Sequence, residues 1–365
     1  MKTDVLIVGG GIAGVALAHY LTRSGVDVIL AERGELNREA SGTNAGSMHL
    51  QIAIHQFIGG MDAPGEAERL QEETRLAAEA AELWKELDDE LGLDFHVTGG
   101  LMVAETEEQL QLLRDKQPLE AAAGLETHVL EAAEVRSFAP YLSERVIGAT
   151  YCPAEGHVNP LIAVERIARR SGAEIVTHAE VTAIEPGFRV VTTAGVFDAQ
   201  RVVNAAGAWA PAFQTLPMKA MGLHVNVTEP RARLLEPMIQ HIGRRLTLKQ
   251  AYNGTFIIGG GWPSREAPGR WATTWESAAG NAAVAVDVVP ALRDVRLLRT
   301  WSGVIAWTDD VSPLLGESEV PGLYTIVVGS SGYTLSPLFA RMLAEQIVSG
   351  TPLPLEYSPK RRTPA

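Results

Sequence analysis

Two rhythms of apolar residues alternate along this chain. Val5, Leu6, Ile7 and Val8 form a short unbroken apolar run, the pattern of a strand buried on both faces of a parallel sheet. A helix from Ile12 to about Ser24 and a second apolar strand, Val26 to Leu30, follow. From about Gly65 to Leu91 the period lengthens, with Leu76, Ala80, Leu83, Trp84 and Leu87 recurring at helical spacing. Phe95 to Val103 reads as a strand bent at Gly99-Gly100, and Glu107 to Lys116 as a helix stopped before Pro118. A helix from Leu161 to Ser171 ends at Gly172, and short strands come next: 174–176, 181–185, 189–193, 196–198 and Arg201 to Trp209. Strands predominate again from about Met221 to Arg299, where Arg245–Ala251 and Thr255–Ile258 flank the hairpin signal Tyr252-Asn253-Gly254, and Trp271 to Val286 has helical composition. Leu323 to Val328 is a last buried strand, Pro337 opens a helix to about Ser349, and the tail after Pro352 reads as irregular.

This alternation predicts an α/β protein: a Rossmann-like nucleotide-binding domain and a second domain on a mixed, mainly antiparallel sheet, both discontinuous in sequence. The first is expected to take residues 1–84, 146–220 and 300–365, and the second 85–145 and 221–299. A length of 365 residues suits two cores better than one. The formal net charge of −13, with basic residues spread out, argues against nucleic acid and anionic membrane surfaces as partners. The single cysteine, Cys152, leaves no internal disulfide and no cysteine-based metal cluster. No apolar run is long enough for an integral membrane segment, and a chain entering its first strand at once leaves no room for a signal peptide, so a cytoplasmic location is expected.

Candidate chemistry starts directly after the first strand. Gly9, Gly11 and Gly14 have the spacing of a dinucleotide-binding turn: a tight exit from the strand, a close approach for pyrophosphate, and close helix–strand packing. Ile12 and Ala13 begin the helix whose free N–H groups and partial positive charge face the phosphates. Glu32 stands 32 − 14 = 18 positions past the last glycine, at the end of the second strand, where a carboxylate accepts hydrogen bonds from ribose hydroxyls; Arg33 follows it. The polar loop Ser41-Gly42-Thr43-Asn44-Ala45-Gly46 suits a segment that wraps a ligand, or else a plain flexible loop. Ala206 and Gly207 end a strand with a close backbone approach, and Gly329-Ser330-Ser331-Gly332-Tyr333-Thr334 is a second glycine-bearing loop before a helix.

Taken together, Gly9 to Gly14, Glu32, the Ser41–Gly46 loop, Asn204-Ala-Ala-Gly207, Pro313-Leu-Leu-Gly316 and Gly329 to Pro337 resemble the D-amino-acid-oxidase-like family of FAD-dependent oxidoreductases over nearly the whole chain. Thr43 to His49 and Ser331 to Pro337 look most like the flavin (β) subunits of opine, D-hydroxyproline and proline dehydrogenases, with glycine and sarcosine oxidases as near cousins. The resemblance implies a noncovalent FAD lying extended across the first domain. Gly9, Gly11 and Gly14 would meet its pyrophosphate and Glu32 its ribose. Asn44, Ala45, Gly46, Ser47 and Met48 would run beside the ring, and Gly332, Tyr333 and Thr334 along its pyrimidine edge. Arg33, Ser41, Thr43, Val181, Ala206, Gly207, Gly303, Gly329 and Ser331 complete the expected contacts. The arginine that clamps a substrate carboxylate in glycine-oxidase-like members is replaced here by Ile305.

The implied reaction is oxidation of the C–N bond of an opine, D-hydroxyproline, proline, sarcosine or glycine-like compound by hydride transfer to flavin N5, with electrons passed to a partner subunit or a quinone. Two alternatives stand beside it: an oxygen-dependent oxidase releasing peroxide, and a flavoprotein subunit serving electron transfer or assembly within a heteromer. His49 is either a polar group near the ring or a structural hydrogen-bond donor. Tyr252 and Trp307 either line the substrate pocket or belong to the core, and Lys249 either binds a carboxylate or oxygen or is a solvated surface lysine. The stretch Thr255 to Ser264, where oxidases of this kind carry a lysine, has none.

Overall fold

A computed structural model describes residues 1–60, 65–329 and 331–361; Ser330, named above in the second glycine loop, lies outside them. The apolar run becomes the strand Lys2–Val8, with Val5, Leu6 and Ile7 at 0 % exposure. It lies at the centre of an eight-stranded sheet. Leu323–Val327, the second half of Gly195–Asn204, Lys2–Val8, Val28–Ala31 and Glu174–Val176 run parallel in that order. The hairpin of Val181–Glu185 and Arg189–Thr192 adds to the first half of Gly195–Asn204. Ile12–Arg23, Glu66–Leu91, Pro160–Arg170 and Gly332–Ser349 pack into one apolar core with this sheet, to which Leu76, Ala80, Leu83, Trp84 and Leu87 contribute as their spacing predicts.

A second eight-stranded sheet has the order Leu297–Trp307, Lys219–Thr228, Phe256–Gly259, Thr247–Gln250, Met238–His241, Gly100–Ala104, Gly148–Cys152, His128–Glu131. All its pairings are antiparallel except that of Met238–His241 with Gly100–Ala104. A three-stranded sheet of Ser47–Met48, Gly156–Val158 and Phe95–Val97 stands apart from both. The bend at Gly99-Gly100 therefore passes the chain from one sheet to another.

Several local expectations are corrected. The helix begun at Glu107 runs through Pro118 to Ala122. Pro118 is exposed, while Lys116 and Glu120 hold the inner face. Arg201 to Trp209 is not one strand: Gly195–Asn204 is continuous, and a 3-10 turn takes Gly207–Ala212. Trp271 belongs to the short strand Arg270–Ala272, and the helix starts at Trp275, capped by Thr274 Oγ1. The last helix begins at Gly332, not Pro337, so the proline sits inside it. The tail is not wholly irregular either. It makes a 3-10 turn at Leu355–Tyr357, and the Arg361 guanidinium takes both oxygens of Asp310 at 2.8 and 3.0 Å.

Candidate cofactor cavity

A cavity of about 490 Å³ begins at the end of the first strand and extends to the second sheet. Its first wall is the glycine turn. A Cβ on Gly9, whose φ is +114°, would lie 2.6 Å from Ala205 O, so neither the conformation nor the space admits another residue. A Cβ on Gly14 would stand 2.0 Å from Gly9 O, which places Gly14 at the helix–strand contact and off the cavity. Gly9, Gly11, Ile12 and Ala13 line the cavity; Gly11, at the N-cap, has no side chain to cap the helix, and Ser41 Oγ takes the Ile12 amide alone. The other first-turn amides and the positive end of the dipole are turned to whatever lies there.

Glu32 is held at the mouth of this turn. Its carboxylate accepts from Gly10 N at 2.7 Å and from Gly34 N at 2.9 Å. The Arg33 guanidinium lies over the Trp209 ring at 4.0 Å from the centroid. Trp209, which the sequence marks only as a strand end, is thereby a wall of the cavity beside Val181, Ala206 and Gly207. The polar loop forms the next wall. Ser41 Oγ accepts from Ile12 N at 2.9 Å, Asn44 Nδ2 donates to Ser41 O at 2.6 Å, and Trp301 Nε1 donates to Thr43 O at 2.6 Å. These bonds fix Ser41, Thr43, Asn44, Ala45, Gly46 and Ser47 along the cavity. Met48 instead points into the core at 0 % exposure.

The far wall comes from the last loop and the second sheet. Gly329, Ser331, Gly332, Tyr333 and Thr334 line it, and because the helix starts at Gly332, its uncapped N-terminus opens on the cavity. Tyr333 stacks on Trp84, ring centroids 5.5 Å apart, and Trp84 Nε1 donates to Thr334 O at 2.9 Å. Gly303 and Ile305 of the edge strand, Leu223 and Val225 opposite it, Thr247, and Gly259 to Gly261 complete the wall. Of these sheet residues the sequence marks Gly303, Ile305 and the run Gly259-Gly260-Gly261, but not Leu223, Val225 or Thr247. His49 lines the cavity too. Its Nδ1 is buried without a partner among the described residues, and burial, with Lys249 adding to it, pushes its pKa down to about 4, so the ring is neutral.

Two expected pocket residues lie elsewhere. Tyr252, at the hairpin tip, is 61 % exposed and stacks on His96. Trp307 is at the end of its strand opposite Lys219, away from the cavity. On the strand, Gly303 to Ala306 line the cavity and Trp307, its last residue, lies beyond the cavity's end.

A strand, glycine turn and helix N-terminus with a carboxylate at the second strand, continuous with a second helix N-terminus, form a site built for an extended, anionic dinucleotide. The family model for the DAO group, FAD dependent oxidoreductase, matches residues 4–346. The chain belongs to this family. It is an FAD-dependent oxidoreductase. This DAO-family chain is 30 % identical to an opine oxidase subunit from Rhizobium meliloti, over 96 % of this chain and 94 % of that one. It is 25 % identical to glycine oxidase of Bacillus licheniformis, covering 98 % and 95 %. It is 27 % identical to human mitochondrial sarcosine dehydrogenase over 96 % of this chain, which is 40 % of that protein. Among solved structures it is similar to L-proline dehydrogenase from P. horikoshii, with a TM-score of 0.85, 25 % identity and coverage of 98 % and 97 %. The α/β architecture expected from the sequence is thus that of known DAO-fold proteins. Among the described residues, no helix is long and apolar enough to cross a membrane.

The residues present fit FAD. Helix N-termini suit its phosphates and the pyrimidine edge of its ring, and Glu32 suits a ribose. Bound there, FAD supplies the two-electron acceptor; the chain supplies position, exclusion of water and the electrostatics of the walls.

Proposed function

We infer that this DAO-family enzyme oxidises the C–N bond of an amino acid or secondary amine, of the opine, hydroxyproline, proline, sarcosine or glycine-like kind, and passes the electrons to a partner subunit or a quinone. One observation carries the reading. The cavity is continuous from Glu32 to the second sheet, so a cofactor held by its phosphates at one end presents its far end to Leu223, Val225, Thr247, Ile305 and His49. The charged lining residues among those described, Glu32, Arg33, Glu39 and Glu180, belong to the nucleotide end; the other end suits an amine that reacts in its neutral form. In this reading Gly9, Gly11 and Ala13 hold the pyrophosphate, Thr43 to Ser47 flank the ring, and Gly332 to Thr334 meet its pyrimidine edge. The two sheets correspond to an FAD-binding and a substrate-binding domain, the latter including Gly148–Cys152 and Leu297–Trp307. The near-full-length likeness to one subunit of an opine oxidase supports further subunits.

Oxygen as the acceptor is a second reading, favoured by Lys249. This lysine stands directly opposite Ile257, within the stretch whose lack of lysine argued against oxygen, and is 3 % exposed. A buried amine is a positive charge suited to stabilising superoxide. The test is to reduce the isolated holoprotein anaerobically with a panel of amines and amino acids, then mix it with air-saturated buffer or an artificial acceptor. Bleaching by an amine with fast reoxidation by the acceptor alone is expected. Equally fast reoxidation by oxygen with stoichiometric peroxide makes it an oxidase. No bleaching by any amine or amino acid removes the substrate reading and leaves an electron-transfer or assembly role.

A further inference from the structure

The small sheet sets Ser47, His157 and His96 directly opposite one another across its three strands. Directly opposed residues project to one face, so the three form a row. Its inner end is Ser47, on the cavity wall. Its outer end is His96, whose Nε2 lies 2.8 Å from Asp94 Oδ1, with Asp94 Oδ2 accepting from Asn159 Nδ2 at 3.0 Å. The Tyr252 ring caps this end, 3.9 Å from the His96 centroid and 5.8 Å from that of buried His157.

Lys249 flanks the row from the second sheet. Its Nζ is 3.3 Å from where a Cβ on Gly46 would stand, beside Ser47. Among the described residues Nζ makes no hydrogen bond or ion pair, whereas the other buried lysine, Lys116, is paired with Glu120 and lies 3.2 Å from Gln51 Oε1. Three further atoms along this line, Ser47 Oγ, His49 Nδ1 and His157 Nε2, are buried without a partner among the described residues. One such atom is an ordinary exception; a run of them from a cavity towards solvent, in a polar setting, is what internal water satisfies.

We propose that Ser47, Lys249, His157 and His96 form a hydrated path that carries a proton from the cavity to solvent at Asp94. The proposal rests on the amine reading above. An amine enters as its ammonium ion. Its nitrogen gives up one proton, and the freed lone pair forms the C=N bond as the neighbouring C–H leaves with its electron pair for the oxidised cofactor. The nitrogen proton must therefore leave a site whose described lining at that end holds no carboxylate. His157 faces Lys249, His96, Arg233, Asp94 and Tyr252. Burial and then the nearby cations push its pKa down to about 3, so it passes a proton without storing one. Burial holds Lys249 at about 7, where it exchanges a proton near neutrality.

A crystal structure of the holoprotein reads the path without turnover. Ordered waters hydrogen-bonded to Ser47 Oγ and His157 Nε2 are expected; dry, protein-packed atoms there overturn the proposal. Kinetically, His157→Leu should slow cofactor bleaching by about tenfold or more near neutral pH, with release of the proton to an indicator dye slowed equally. Bleaching should recover at pH values above the amine's own pKa, where the substrate arrives neutral. A merely structural role gives a loss that does not recover with pH, and such a loss, or no loss, overturns the path. If His157→Leu does not retain FAD, His96→Leu blocks the outer end and is read in the same way. If no amine bleaches the wild type, the amine reading has failed, and the waters alone decide whether the path exists.

Discussion

Replacing Glu32 with alanine separates the two tasks its position assigns to it. In the folded chain the carboxylate accepts from Gly10 N at 2.7 Å and Gly34 N at 2.9 Å, and Gly10 is buried. Truncation leaves a buried amide without a partner, a loss of about 1–3 kcal/mol of stability that is present without cofactor. The carboxylate also meets the ribose hydroxyl in the FAD reading, a charge-assisted bond of about 1.5–3 kcal/mol, which at 1.4 kcal/mol per decade is roughly a 10- to 150-fold rise in the FAD dissociation constant. Denaturant melts of the apoprotein read the first effect, and fluorescence titration of the apoprotein with FAD reads the second. A melt displaced as expected with FAD affinity unchanged within about twofold would refute the ribose contact, since nothing in the loop geometry compensates a lost charge-assisted bond.

Further outcomes follow from other walls of the cavity. Gly11→Val should abolish FAD retention while leaving the second sheet folded, read by flavin content and circular dichroism; even a Cβ there lies 3.0 Å from Ser41 Oγ, and undiminished flavin would show the phosphates to lie elsewhere. Gly14→Ala, whose methyl would sit 2.0 Å from Gly9 O, should cost more than about 3 kcal/mol in urea melts, because backbone rather than a flexible side chain must move. Lys249 has a folded pKa of about 7 against 10.5, so the unfolded chain binds more protons between those values. Stability from this group therefore rises with pH across that window, by up to about 1.4 kcal/mol per unit, and its penalty is fully present below pH 7. Lys249→Met should be more stable than the wild type near neutral pH, with the difference shrinking towards pH 10; an unchanged or reversed difference means that the amine is paired in solution.

The glycine turn, Glu32 and the alternating elements were legible in the sequence because each depends on local chemistry: a positive φ, a close backbone approach, a run of apolar residues in one period. The same locality explains the errors. Pro118 and Pro337 each look like a helix boundary, yet tertiary packing of the surrounding turns outweighs one missing hydrogen bond. Tyr252 and Trp307 are aromatic, polar-edged and near the right segments, but only the tertiary arrangement decides how far along the strand the cavity reaches, which is Gly303 to Ala306, and it leaves Tyr252 at an exposed hairpin tip. In sequence Lys249 reads equally as a ligand-binding or a solvated surface lysine; pairing of its strand between Met238–His241 and Phe256–Gly259 buries it beside Gly46. His96 and His157, which carry no signal as isolated positions in the sequence, become a row only when Ser47–Met48 pairs across more than a hundred positions with Gly156–Val158. Sequence alone determined the core of the nucleotide site, because the glycine turn, its helix and Glu32 lie within one strand–helix–strand unit, while Trp209 joined that wall only through the fold. Which groups face the reacting end was decided by long-range pairing, because that wall is assembled from strands distant in sequence whose side chains change face with every step.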